Sequence, residues 1–160
     1  MSGPLRAPSV PPRLATPQAA CEDARRWEGL GHALEALRVL EWANQRWPED
    51  ALVAAHYAVL LVQERGQARR ALEIVATASR TSPGDADVQW CAARVLLATG
   101  ERGACVDHLR AAVARFPSHR QLGAMLDTVG LRRPPAFPRL PRSHPVNKFL
   151  GLLTWRLGFR

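Results

Sequence analysis

Along the middle of the chain, small, aliphatic and turn-forming residues recur in one fixed order, and they do so three times. The stretch from Ala20 to Pro48, the stretch "AHYAVLLVQERGQARRALEIVATASRTSP" from Ala55, and the stretch "QWCAARVLLATGERGACVDHLRAAVARFP" from Gln89 share five columns. These are Gly31, Gly66 and Gly100; Ala36, Ala71 and Cys105; Leu40, Val75 and Leu109; Ala43, Ala78 and Ala112; and Pro48, Pro83 and Pro117. Self-similarity at about thirty-four residues is the signature of a repeat architecture.

Each column has a physical job. A small residue followed four positions later by an aliphatic one, as in Ala36 and Leu40, puts both on one helical face, where the small side chain permits close approach and the large one fills the groove. Glycine accepts the left-handed conformation that ends a helix and reverses the chain. Proline cannot continue the hydrogen-bond ladder and turns the residue before it away from helix. The unit is therefore a helical hairpin. Trp47 and Phe116, each directly before its proline, are expected to cap their hairpins with apolar surface. After Pro117, Leu122, Met125, Leu126 and Val129 stand at helical spacing behind Ser118 as N-cap, which predicts one further helix and seven in all. Stacked repeats leave an apolar end face, and a terminal helix covers it.

At this point the chain resembles the tetratricopeptide repeat family. Ala24 with Trp27 and Ala93 with Leu96 echo the family's small-then-aromatic pair in the first helix, Val59 with Val62 stands in that place in the second unit, and the later alanine and closing proline follow in each unit. The repeat runs one residue long around Glu49 to Leu52, a shift of one in the second unit's first helix. The resemblance covers Pro17 to Leu131. It implies an all-α fold, an α-solenoid of stacked antiparallel helical hairpins, whose first helices line a concave surface. By that analogy Arg25, His56, Leu60, Gln63, Trp90 and Arg94 are the groove residues. Trp90 is either a solvent-facing anchor for a peptide, with Arg94 one turn away to hold a carboxylate or to stack, or a core residue between hairpins. Relatives that grip a peptide's terminal carboxylate use paired Lys and Asn side chains. Here the only lysine is Lys148 and the asparagines are Asn44 and Asn147, so that clamp is not expected.

Charge refines this picture. The formal net charge is +8, but it is unevenly placed: residues 1–131 are close to neutral, and the last 29 residues carry seven positive charges and no acid. Distribution matters more than the sum for judging partners. The residues 1–16 form a proline-rich leader, expected to be disordered, with no apolar run of the kind a secretory signal needs. Cys21, Cys91 and Cys105 show no C-x-x-C spacing, which fits thiols in a reducing cytosol rather than a disulfide framework or a zinc site. Cys105 and His108 would share a helix face, but Cys105 already fills a small-residue column, and two ligands do not make a metal site. The five histidines form no H-E-x-x-H pattern, and there is no phosphate-cradling glycine loop. No catalytic residue, metal or cofactor is expected, and the chain reads as a non-enzyme.

The tail divides at Pro145. Residues 132–145 form a linker rich in Pro and Arg that favours an extended polyproline conformation, and Arg132, Pro135 and Pro138 match the pattern read by proline-binding domains. In residues 146–160 Val146, Phe149, Leu150, Leu153 and Leu157 recur at helical steps, and Leu152, Trp155 and Phe159 widen the apolar sector. Such a helix is about 22 Å long, too short to span a bilayer. Its apolar face can fold back on the solenoid, lie on an anionic membrane surface, or meet another protein or nucleic acid. Nucleic acid is the least favoured, since the near-neutral body offers no basic groove. Lys148, Phe149, Leu150, Leu153, Trp155, Arg156, Leu157 and Phe159 are the contact residues this predicts. Two functional expectations follow. The first is a cytoplasmic adaptor or scaffold that binds a peptide or helix of another protein in its groove. The alternative is a peripheral membrane or complex-assembly factor localised by the tail.

Overall fold

A computed structural model describes residues 15–130. The leader's first fourteen residues, the linker 132–145 and the amphipathic segment 146–160, with Lys148, Phe149, Leu150, Leu153, Trp155, Arg156, Leu157 and Phe159, lie outside the described residues. Within them are seven α-helices and no strand: α1 (Pro17–Gly29), α2 (Ala33–Arg46), α3 (Ala51–Arg65), α4 (Ala68–Thr81), α5 (Ala86–Ala98), α6 (Arg102–Arg115) and α7 (Arg120–Gly130).

The turns between these helices repeat as faithfully as the sequence does. Gly31, Gly66 and Gly100 sit at φ of 81°, 62° and 85°, the region that an L side chain rarely adopts, and each reverses the chain between two helices. In the turn before the next hairpin, Trp47, Ser82 and Phe116 share one backbone conformation (φ −130°, −126° and −125°; ψ 68°, 65° and 64°). Their N–H groups donate to the carbonyls of Ala43, Ala78 and Ala112. Proline follows in all three cases, and two residues beyond it comes the cap of the next helix. Asp50 accepts from the Val53 N–H at 2.9 Å, and Asp85 from Asp87 and Val88. Before α7 the equivalent residue is His119, whose Nδ1 accepts from the Leu122 N–H at 3.3 Å. The cap is thus His119 and not Ser118, because the spacing from the proline fixes the position and the imidazole supplies the acceptor.

The extra residue of the second unit falls between the cap Asp50 and Gly66, within α3, and shifts that helix by one. Asp50 to Gly66 is one residue longer than Thr16 to Gly31 or Asp85 to Gly100, and α3 has 15 residues where α1 and α5 have 13. Counted from the caps, Ala24, Ala58 and Ala93 share one position, and they are 1%, 0% and 0% exposed. The small residue of the second unit is therefore Ala58 and not Val59.

Packing ties each hairpin to the next. The first cluster joins Ala20 and Ala24 of α1 and Leu37 and Leu40 of α2 to Tyr57, Leu60 and Leu61 of α3. The second joins Ala55, Ala58, Val59 and Val62 of α3 and Val75 of α4 to Val88, Cys91 and Val95 of α5. The third joins Ala93 of α5 and Leu109 of α6 to Leu122 and Val129 of α7. Every hairpin thus completes its core with the first helix of its successor, or with α7. Helix α3 packs against α1, α2, α4 and α5, which is why it is apolar all round, while α1 and α5 approach no closer than through their side chains. The small column Ala36, Ala71 and Cys105 is fully buried, as close helix approach requires.

Candidate interaction face of α1, α3 and α5

Counting from the helix caps puts Cys21, Ala55 and Trp90 at one position of the three first helices, Arg25, Val59 and Arg94 at another, and Glu28, Val62 and Leu97 at a third. On α3 this stripe is the short apolar row Ala55, Val59 and Val62, all buried. Longer side chains from α1 and α5 reach across it. Arg94 Nη2 donates to Glu28 Oε1 at 2.5 Å, a pair whose side chains are only 17% and 23% exposed. Arg25 Nη1 lies 3.7 Å from Asp87 Oδ1, which also receives His119 Nε2 at 3.4 Å. The Arg94 guanidinium stands 4.7 Å over the Trp90 ring, a cation–π arrangement that fixes its plane and direction. Arginine suits this duty because its flat, permanently charged fork can stack and pair at once.

Beneath this layer lies His56. It is 2% exposed, edge-on to Trp90 at 6.5 Å between ring centroids, and its Nδ1 is 3.7 Å from Cys91 Sγ. Its Nε2 is buried without a hydrogen-bond partner among the described residues. Burial, assisted by the charges of Arg25 and Arg94 and opposed by Asp87, lowers its pKa to about 4, so the ring is neutral at pH 7. Burial also raises the thiols: Cys21 to about 12, and Cys91 and Cys105 likewise upward. These cysteines are all buried, and as protonated thiols they are poor nucleophiles and poor metal ligands. Cys105 Sγ donates to the Ala93 carbonyl, a core contact. His108 Nε2 meets the Gln89 carbonyl at 3.0 Å. Among the described residues no group of three or more His, Cys, Asp and Glu could hold a metal ion. No helix there is long and apolar enough to cross a membrane.

The six groove residues expected from sequence are only partly brought together. Arg25, Trp90 and Arg94 share the bridged face, with Trp90 both packed against two core clusters and overlaid by Arg94. Gln63 is exposed near the end of α3. His56 and Leu60 do not face solvent: both are buried, Leu60 against the first hairpin. Counting back from Gly66 misplaces them by the extra residue of α3, and one residue is about 100° of helix rotation. Glu28 and Asp87, the acidic partners of the two arginines, carry no motif. The clue available was helical spacing within each stripe: Glu28 stands three residues after Arg25 on α1, and Asp87 seven before Arg94 on α5. A separate cleft of about 440 Å³ opens between α2 and α4, lined by Asn44, Glu49, Tyr57, Arg70, Glu73 and Thr77 among others; no residue of the bridged face lines it.

No protein-family model matches the chain, and no curated protein sequence matches it either.

Proposed function

We propose that the chain is a non-enzymatic interaction module of the tetratricopeptide type, its hairpins stacked as a short α-solenoid, and that the face of α1, α3 and α5 receives a peptide or helix of another protein. The observation that carries this reading is the thrice-repeated hairpin in which each core is completed by the next first helix. Among the described residues α3 packs against both α1 and α5, and Arg25, Trp90 and Arg94 of those two helices keep part of their surface in water. The repeated turn geometry supports the stacking, and the family resemblance adds to it, since such arrays use the first-helix face for recognition. Trp90 supplies a large, rigid contact and Arg94 a directed charge, the residue types that dominate interface energies.

The test is quantitative identification of the proteins that copurify with the intact chain, comparing wild type with the doublet Trp90→Ala and Arg94→Ala and with Arg38→Ala, an exposed residue of α2. The doublet is expected to lose its main partner by about tenfold or more, the scale of a hot-spot residue, and Arg38→Ala to keep it. Equal capture by all three would rule the face out as the binding surface. A second reading is favoured by charge: seven positive charges fall in the last 29 residues of a chain otherwise near neutral. In that reading the tail localises the module to an anionic membrane or an assembly. Truncation after Leu131 separates the two, because it abolishes salt-sensitive binding to anionic vesicles while sparing capture by the helical face.

A further inference from the structure

We propose that Glu28 occupies, within the folded chain, the place an acidic side chain of a peptide partner takes, so that the bridged face is a carboxylate-selective site closed by an internal competitor. The inference rests on the reading of that face as the partner surface.

Three observations converge. The first is that Arg94 is oriented independently of its acid. Its guanidinium lies over Trp90 at 4.7 Å, so the fork stays aimed across the face when the acid leaves. Glu28 comes from α1, a helix whose backbone does not touch α5, and both side chains keep a fraction of their surface in water. Such a pair can open without unpacking any core cluster. The second is that Arg25 on the same face holds Asp87 only at 3.7 Å, beyond good hydrogen-bond length. Its donors are poorly used, and a better-placed oxygen can recruit them.

The third observation is His56. It is nine-tenths and more buried, and its Nε2 has no partner among the described residues. Its Nδ1 lies 3.7 Å from Cys91 Sγ, and the imidazole tautomer decides which of the two donates. Where the Cys91 S–H donates, the neutral ring carries its proton on Nε2, a donor with nothing to donate to among the described residues. Native interiors rarely leave such a group unused, and the exception asks for an explanation. Arg25, Arg94 and Asp87 are the charged groups that act on this ring, from α1 and α5. An incoming carboxylate that displaces Glu28 would find Arg94 held in place over Trp90 and Arg25 within the same layer, with the His56 ring edge-on to Trp90. Charge-assisted bonds of this kind are the strong ones. A plain apolar peptide would gain none of them.

The experiment uses the full chain and a selected probe. Twelve-residue peptides are selected from a random display library on wild-type protein. The best binder and its amide analogue, with every Asp changed to Asn and every Glu to Gln, are then titrated calorimetrically. Selected peptides are expected to be enriched in Asp and Glu, and the amide analogue to bind about tenfold more weakly. Glu28→Gln, which keeps the side chain's shape, should bind the acidic peptide about five- to tenfold more tightly, because removing an internal competitor raises the fraction of open protein. The His56 ring resonances should shift on adding the acidic peptide and not its analogue. Binders that are weakened by Trp90→Ala, yet indifferent to amide replacement and to Glu28→Gln, overturn the carboxylate inference and leave the face as a binding surface. Binders indifferent to Trp90→Ala, or no binders at all, overturn both.

Discussion

Leu60→Ala should lower the free energy of unfolding by about 3 kcal/mol, whereas Gln63→Ala, three residues further along the same helix, should change it by less than about 0.5 kcal/mol. Leu60 is 1% exposed and belongs to the cluster of Leu37, Leu40, Tyr57 and Leu61 that joins the first hairpin to α3. Truncation removes its transfer free energy and leaves a cavity that helices on two sides cannot close. Gln63 is exposed, so its loss removes little packing. Urea unfolding at pH 7 measures both. The contrast is informative because these residues would share the outer surface if α3 were numbered from its glycine. Two small effects would mean that Leu60 points outward after all and that the extra residue lies outside α3.

Acid should destabilise the protein through His56 by an amount on the order of 3 kcal/mol, and His56→Leu should remove that contribution. The ring's pKa falls from 6.5 to about 4 on folding, first through burial and then through the charges of Arg25 on α1 and Arg94 on α5, against the opposing charge of Asp87. A folded-state pKa below the unfolded value means that the unfolded chain binds the proton more readily between these two limits. The stabilisation is therefore complete above about pH 6.5 and is lost as pH falls toward 4. A tenfold difference in proton affinity between the folded and unfolded chains is worth about 1.4 kcal/mol, which sets the scale. Wild type and His56→Leu, compared by urea unfolding from pH 7.5 to 4, should diverge progressively in favour of the variant. The carboxylates common to both cancel in that difference. Parallel curves would show that the imidazole is solvated or already partnered, and with it would go the unpaired Nε2.

Much of the fold was legible because its punctuation is covalent. Gly31, Gly66 and Gly100 are the residues that take positive φ, and the prolines after Trp47, Ser82 and Phe116 end helices wherever they occur, so the number of helices and their pairing could be read directly. The small column Ala36, Ala71 and Cys105 announced close packing for the same reason. What escaped was rotational phase. The spacing of the repeat announced one extra residue around Glu49 to Leu52 and a shift of one in that helix, but Val59 and Ala58 both suit a largely buried helix, and counting from the caps Asp50 and Asp85 settles which takes the small position. His56 and Leu60 were misplaced on that account alone. Ser118 has the better intrinsic capping chemistry, but spacing from Pro117 selected His119. Glu28 and Asp87 were hidden for another reason: a pair that joins α1 to α5, with three helices between them in the chain, depends on tertiary distance, and no local pattern encodes it.

Helices α1 and α5 must present their side chains to one another across α3 if this face is to act as one surface. A double-mutant cycle on Glu28→Gln and Arg94→Met, followed by urea unfolding at low salt, measures that directly. A pair this close and more than three-quarters shielded from water should show a coupling of about 1 kcal/mol. Single effects that sum to the double within about 0.3 kcal/mol, as for independent sites, would mean that the two helices share no face.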